Sequence, residues 1–483
     1  MEYMFQNDGN ILSLDVSSFD TSQVTSIEYF VAGCNKLTSL DVSNFNTSNV
    51  QYMAGAFAEC WALTSLDVSN FDTKKTKSMN YLFSSCSSLT SLNVSNINTD
   101  LVEDMSTMFF QCEKIKSLDL RKFNTSLVYS MNSMFALCYS LEKLDLSSFI
   151  TTNVYDMTRL FQSCISLTSI DISNFDTSNV NLMQSLFSGC TALTSLDLTK
   201  INTQNIMDTS NMFSGCSSLT SLDFSNFETK YVQRMVSMFH NCKSLKSLDL
   251  STFDTGSANF INHMFDGCTS LTSLKIPNFH TEGIYETNSL FKDCISLKSL
   301  DVSSFNTESI YDMSFMFQNC SSLEFLNLSN FNTRSAVSMQ SMFENCQKLT
   351  SLIIDNFDTN NVQYMSYMFS GCESLTFLDL SHFFTYGLTY MNNMFYNCHS
   401  LNSINLDGFV TLNVYDFSYL FYNCSSLKSL DLSSFSDGNC NEYEYIFEGC
   451  FNMTLYINPN RCKKIINNIP EYVTPIFVDS LFE

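Results

Sequence analysis

The chain has 483 residues, of which 45% are hydrophobic and 15% are charged, so it is too apolar to be disordered and can bury a large core. Its 48 acidic and 24 basic residues give a net charge of −24, which disfavours nucleic acid or an anionic membrane as a partner. The sequence has no run of about 18 apolar residues, so no membrane span is predicted, and no secretory signal is visible at the N-terminus.

Cysteines recur at one fixed interval, at Cys34, Cys60, Cys86 and onward to Cys450, without an insertion or deletion. A fixed period of this length is typical of a solenoid, in which each coil contacts only its neighbours. Met1 holds the place that Met53 and Met79 hold in later coils, so the chain begins in mid-repeat. We therefore expect a fragment or a processed form, from which a leader or an anchor could be missing.

The first half of each coil has the pattern of a short helix. In the coil of residues 358–383, Thr359 is a suitable helix N-cap, and Gly371 suits the left-handed residue that ends a helix. Five apolar side chains follow Thr359, separated by steps of 3, 3, 1 and 3, which places them on one helix face. They are Val362, Met365, Met368, Phe369 and Cys372. The pattern predicts about three helical turns.

The second half of each coil has the pattern of a strand. Leu378 and Leu380 alternate with polar residues, as in a half-buried strand. A strand and a returning helix in every coil predict an α/β solenoid with a parallel sheet on one side and short helices on the other. Strands stack at about 4.8 Å and helices at about 10 Å, so we expect a curved solenoid with the sheet on the concave side and the helices on the convex side.

The Leu-x-x-Leu-x-Leu pattern after "MFxxC", as in "MFSGCSSLTSLDFSNFET" at residues 212–229, resembles the BspA-like leucine-rich-repeat surface proteins. The resemblance covers residues 1–457. It implies a leucine-rich-repeat fold, a location at the cell surface or outside the cell, and a role in adhesion or partner binding. A secretion signal and an anchor, which the family carries, are not visible in this chain.

The repeat pattern ends near residue 450. We assign residues 1–450 to the leucine-rich-repeat solenoid of 26-residue coils and residues 451–483 to a last strand and a C-terminal cap, because a solenoid end exposes its core. Three of the four prolines lie in this segment, as do the alternating residues Met453, Leu455 and Ile457.

The repeated cysteines are open to three interpretations. Zinc sites use closely spaced ligands, and no two cysteines here are closer than Cys440 and Cys450, so we expect no metal site. A disulfide ladder between coils is a second interpretation. We favour buried free thiols, because an apolar place repeated in every coil suits a small buried thiol.

An acidic stripe follows the predicted strands, at the place between two inward leucines. The stripe is either a solvated polar face that prevents aggregation or a weak site for calcium or a basic partner, and we favour the first. It consists of Asp15, Asp41, Asp67, Asp119, Asp145, Asp171, Asp197, Asp223, Asp249, Asp301, Asp379 and Asp431.

Four apolar residues depart from the repeat pattern and form the candidate partner-binding site. Phe325 and Phe377 stand at an outward strand place that is Ser in fourteen of seventeen coils. Ile353, in the coil between them, replaces the usual Asp, and Phe384 stands where most coils have Asp or Asn. Neighbouring strands should bring the first three within about 10 Å. The alternative is neutral drift, because single exposed apolar residues are common.

The sequence contains no catalytic motif, no nucleotide fingerprint and no cofactor site, so we predict a protein that is not an enzyme. We predict a binding solenoid whose concave sheet holds a protein or glycan ligand, host extracellular matrix being one candidate. The alternative is a structural spacer or stalk segment of a larger surface protein. The oligomeric state is not predicted.

Overall fold

The computed structural model describes residues 1–478, which form two compact units. Unit 1 consists of Met1–Val232 and Met238–Leu245, and unit 2 consists of Gln233–Ser237 and the described residues from Lys246 onward. The same 26-residue repeat builds both units. The predicted domain boundary at residue 450 remains a prediction.

The strands are short, and each lies where the sequence places the Leu-x-Leu alternation. Their central residue is buried or half-buried, and the flanking residues of the three-residue strands mostly face solvent, which is the predicted pattern. In the described chain they are β1 (Ser65–Asp67), β2 (Ser91–Asn93), β3 (Ser247–Asp249), β4 (Ser273–Lys275), β5 (Phe325–Asn327), β6 (Ser351–Ile353), β7 (Phe377–Asp379), β8 (Ser403–Asn405), β9 (Ser429–Leu432), β10 (Thr454–Ile457) and β11 (Thr474–Phe477).

All paired strands are parallel, as predicted, but the sheet is divided into short pieces. β1 pairs with β2, β3 with β4, β5 with β6, and β7 with β8, while β9, β10 and β11 form one three-stranded sheet. We call the side of each coil that carries these strands, or the equivalent residues of the repeat, the strand side.

The prediction of convex helices is wrong. Residues 365–372 form consecutive turns, in which the N–H groups of Met368 and Cys372 donate to the carbonyls three residues earlier. Ser370 N–H likewise donates to Tyr367, but two N–H groups donate to the next coil instead: Phe369 bonds the carbonyl of Met394 at 2.9 Å, and Gly371 bonds that of Tyr396 at 2.7 Å. We call this side of the coil the turn side.

A helix cannot form on the turn side because two residues per coil have a left-handed backbone. In the coil described above these are Tyr367, with φ of 60°, and Gly371, with φ of 70°. The left-handed conformation predicted for Gly371 is therefore confirmed, but it shapes a turn and ends no helix. A curved solenoid was predicted because helices stack at a wider spacing than strands. The described coils have no convex helices, so this reason for curvature no longer applies.

The repeated threonine also has a different role from the predicted one. The hydroxyl of Thr359 does not cap a helix but donates to the carbonyl of Phe384, in the next coil, at 3.1 Å. Thr73 makes the same bond to Asn98 at 2.8 Å and also accepts the N–H of Asn98 at 2.7 Å. The threonines are buried, so they satisfy backbone groups inside the stack.

Rows of phenylalanine rings fill the core of each unit. In unit 1 the rings from Phe57 to Phe239 stack from coil to coil at one place of the repeat, with centroids 5.6–6.0 Å apart. In unit 2 the corresponding row runs from Phe265 to Phe447. A second row in unit 2 runs from Phe279 to Phe435 at 6.2–6.4 Å.

The nineteen cysteines are free and buried, which confirms the favoured interpretation. Cys440 is fully buried, in the inward place that Val362 and Val414 hold in earlier coils. The thiol of Cys138 donates to the carbonyl of Phe109 at 3.1 Å, and this bond recurs in other coils. Burial raises the pKa of the Cys138 thiol to about 12.

The C-terminal segment keeps the predicted alternating strand and adds two elements. Met453, Leu455 and Ile457 are fully buried, as predicted. A helical turn, α1 (Lys463–Ile466), follows, and β11 then pairs with β10. The last five residues of the predicted cap lie outside the described residues.

Candidate functional site

Phe325 projects from β5 into solvent on the strand side of unit 2. Its neighbour Leu326 is fully buried and holds the strand against the core, so the alternation of the strand directs Phe325 outward. It is 47% exposed. The sequence predicted this exposure.

Ile353 is the last residue of β6 and is only half-buried. The register of β5 and β6 pairs Asn327 with Ile353 and Phe325 with Ser351. Ile353 therefore lies one strand across from Phe325 and two residues further along. This is the relationship that the repeat spacing predicts.

Phe377 and Phe384 are both exposed. Phe377 begins β7 and is 57% exposed, while Phe384 follows the strand and is 47% exposed. The carbonyl of Phe384 accepts the hydroxyl of Thr359, which fixes the backbone from which the ring projects. None of the four candidate residues lies in the core.

Of the four candidate residues, only Phe325 and Ile353 lie on strands that pair with each other. β5 and β6 form one pair, whereas Phe377 belongs to the separate pair of β7 and β8. The coils themselves are adjacent, because bridges on the turn side join Ser338 to Tyr364 and Tyr364 to Tyr390. The three strands therefore belong to successive coils, but no strand ladder in the described chain joins β6 to β7.

The acidic stripe reaches this site at Asp379, whereas β5 and β6 carry Asn327 and Ile353 at the stripe place. In β7, Asp379 Oδ1 accepts the N–H of Ser381 at 3.0 Å, and bonds from the Ser381 backbone and hydroxyl lower the pKa of Asp379. The same bond recurs along the stripe, for example from Ser69 to Asp67 at 2.9 Å. The stripe residues therefore close the turns that follow them, a role that the sequence interpretation missed.

A cluster of tyrosines on the turn side was also missed. Tyr367, Tyr419 and Tyr445 hold one place in the repeat, and Tyr396 and Tyr422 hold another. Within each set the residues are separated by whole repeats, so comparing one column of the repeat across coils would have found them. The helix prediction concealed them, because it treated the exposed places of that segment as an ordinary polar face.

Across residues 1–478, no group of three or more His, Cys, Asp or Glu side chains is placed to hold a metal ion. No helix in the same residues is long and apolar enough to cross a bilayer.

Six overlapping stretches of the chain match one family model, described as "Mycoplasma protein of unknown function, DUF285". They are residues 1–118, 77–195, 103–220, 183–298, 264–374 and 349–460. The chain belongs to this family. The match recurs along the chain and agrees with the parallel strands of the coils, which confirms the leucine-rich-repeat solenoid that the sequence predicts.

Several solved structures are similar to the chain at low identity. A leucine-rich repeat protein from Bacteroides ovatus has 16% identity and a TM-score of 0.38, over 92% of this chain and 88% of that one. A leucine rich cell surface protein from Faecalibacterium prausnitzii has 20% identity and a TM-score of 0.36, over 66% and 79%. A leucine-rich repeat protein from Eubacterium ventriosum has 14% identity and a TM-score of 0.30, over 80% of each chain. No curated protein matches the chain.

Proposed function

We propose that the chain is a non-enzymatic binding protein, displayed at the cell surface or outside the cell, that holds a protein or glycan on the strand side of its coils. Phe325, Ile353, Phe377 and Phe384 form the centre of the contact in unit 2. The surface location and the adhesive role rest on the resemblance of the repeats to BspA-like proteins.

One observation carries the proposal: large apolar side chains are exposed or half-buried in successive coils, at places that are mostly Ser, Asp or Asn. Phe325 and Phe377 are about half exposed, so a partner that covered them would remove apolar surface from water. Aromatic residues at the centre of a contact often dominate its binding energy. The stripe residues that flank these coils, Asp301 and Asp379, would add selectivity for partners without strong negative charge.

The proposal is tested by a binding screen followed by substitution. The purified chain is screened against extracellular-matrix proteins and glycans at several salt concentrations. The triple variant Phe325→Ser, Ile353→Asp and Phe377→Ser restores the usual repeat residues, so it should fold normally and bind the partner at least tenfold more weakly. Phe384→Asn extends the test to the fourth residue, and Ile150→Asn is its matched control, because Ile150 is an exposed residue of unit 1 at the repeat place of Phe384.

A structural spacer is the second candidate, and the uniformity of the repeat favours it. The cysteine interval stays constant from Cys34 to Cys450, and buried phenylalanine rows fill both units. A spacer needs length and rigidity but no specific surface. An unchanged affinity in the triple variant, or no partner in the screen, would favour this candidate.

A further inference from the structure

An open cavity of about 520 Å³ lies on the turn side of unit 2. Three aromatic rings and two carboxylates are among its walls. We call it the tyrosine groove and define it by Glu344, Tyr367, Glu373, Asn393, Tyr396 and Tyr419.

The groove lies at a coil that has no ring at a place where the coils on either side have one. Tyr367, Asn393, Tyr419 and Tyr445 hold the same place in four successive coils. The rings of Tyr419 and Tyr445 stack at 5.3 Å between centroids, so neighbouring coils place their rings in contact. Asn393 carries no ring, and the gap between Tyr367 and Tyr419 is therefore two coil spacings, about 10 Å.

A second column supplies the side wall. Tyr396 stacks on Tyr422 at 4.9 Å, and its plane lies at 65° to that of Tyr419, with centroids 6.4 Å apart. A group in the gap thus faces rings in more than one direction. A group midway between Tyr367 and Tyr419 would be about 5 Å from each ring, within the distance of about 6 Å at which a cation is attracted to a ring face.

The charge of the groove is negative. Glu344 accepts the amide of Gln318 at 2.6 Å, and Glu373 accepts that of Gln347 at 3.2 Å. These partners are neutral, and in residues 1–478 no Lys or Arg forms an ion pair with either carboxylate. The pKa of Tyr367 is raised by burial first and then by the charges of Glu344 and Asp416, which is consistent with a negative field at its ring.

The same column already holds a cation elsewhere in unit 2. Phe315 occupies the place of Tyr367 two coils earlier, and the ammonium group of Lys292 lies 5.7 Å from its ring centroid. A ring at this place of the repeat is therefore accessible to a positively charged side chain.

We propose that the tyrosine groove binds the guanidinium or ammonium group of an arginine or lysine side chain, presented by a basic segment of a partner protein. A neutral sugar could stack on the same rings but would leave the two carboxylates without a compensating charge, so the charge favours the cation. The groove lies on the turn side, so the proposal of a cation site there does not depend on the function proposed for the strand side.

The test is a calorimetric titration with a nine-residue peptide of alternating glycine and arginine in 150 mM NaCl. Asn393→Tyr places a ring in the gap and should weaken binding at least tenfold. This variant should fold, because tyrosines hold the same left-handed place in neighbouring coils, with φ of 60° at Tyr367 and 58° at Tyr419. Ser185→Tyr adds a ring in the same column of unit 1 and should change the affinity less than twofold.

Two further variants keep the test decisive if Asn393→Tyr is unstable. Tyr367→Leu removes a ring, and Glu344→Gln removes a charge but can still accept the bond from Gln318, so each should weaken peptide binding at least fivefold. If all three variants bound the peptide as tightly as the unchanged chain, peptide binding would depend only on the overall charge of the chain. This result would overturn the proposal. Binding of neutral oligosaccharides that Asn393→Tyr abolishes, without an effect on the peptide, would overturn it too.

Discussion

Thr125 and Ile150, in adjacent coils, exchange two hydrogen bonds. The Thr125 hydroxyl donates to the Ile150 carbonyl at 2.7 Å and accepts the Ile150 N–H at 2.7 Å. One buried hydroxyl thus satisfies both backbone groups of a residue in the next coil. This relationship explains why threonine recurs at the place, since serine lacks the methyl group that packs there and valine lacks the hydroxyl.

Replacing this hydroxyl should destabilise unit 1. Thr125→Val leaves an N–H and a carbonyl of Ile150 without a partner, so the free energy of unfolding should fall by about 2 kcal/mol. Thr125→Ser keeps the hydroxyl and should cost less than about 1 kcal/mol. Urea unfolding followed by circular dichroism measures both values. Equal losses in the two variants would contradict the role of the hydrogen bonds.

The sequence predicted the periodicity of the fold better than its hydrogen bonding. The inward side chains, the strand places and the buried thiols all follow from apolar residues that recur once in every coil. The helix prediction was wrong because a series of turns also brings side chains to one face at steps of three and four. The alternate N–H groups of the turn side bond carbonyls of the next coil, and the pattern within one coil does not reveal such partners.

The buried phenylalanine rows should contribute far more stability than the exposed rings. Phe317 is fully buried between Phe291 and Phe343, with centroids 5.6 and 5.8 Å away. Phe317→Ala should lower the free energy of unfolding by about 3–5 kcal/mol, because it removes stacked apolar surface and leaves a cavity. Phe384→Ala, at an exposed ring, should change it by less than about 0.5 kcal/mol. A large loss in Phe384→Ala would mean that this ring is structural and not available to a partner.

The candidate site was only partly predictable. The exposure of Phe325 and Phe377 followed from the strand alternation, because residues on either side of an inward leucine must point outward. The division of the sheet between β6 and β7 did not follow, since both coils carry the inward alternation, with Leu352 and Ile354 in one and Leu378 and Leu380 in the other. The tyrosine groove was missed because its shape depends on what one coil lacks: a ring at Asn393.

The left-handed places on the turn side should respond in opposite directions to two substitutions. Gly215 has φ of 75°, and the nearest atom to an added Cβ would be 3.4 Å away, so Gly215→Ala should cost about 1 kcal/mol through backbone strain alone. Leu137 holds the same place with φ of 61°. Leu137→Asn should stabilise unit 1 by about 0.5–1 kcal/mol, because Asn tolerates this conformation. Urea unfolding at pH 7 measures both, and a stabilising Gly215→Ala would refute the strain argument.

The buried thiols should make the protein sensitive to alkaline pH. Burial raises the pKa of Cys86, Cys138, Cys190 and Cys398 to about 12, from an ordinary value of 9.0. Well below pH 9, at about pH 7.5, these thiols are protonated in both the folded and the unfolded chain, so their ionisation does not change stability. Between about pH 9 and 12 the unfolded chain loses protons that the folded chain keeps, and the free energy of unfolding falls as pH rises.

Each of these thiols should lower the free energy of unfolding by about 1.4 kcal/mol for each pH unit in that range. Urea unfolding under a reductant at pH 7.5, 9, 10 and 10.5 measures the slope. Cys138→Ala serves as the control, because it removes one titrating thiol and should make the slope shallower by the same amount. A free energy of unfolding that stays constant up to pH 10.5 would mean that the thiols ionise as easily in the folded chain as in the unfolded one, and hence that water reaches the cysteine row.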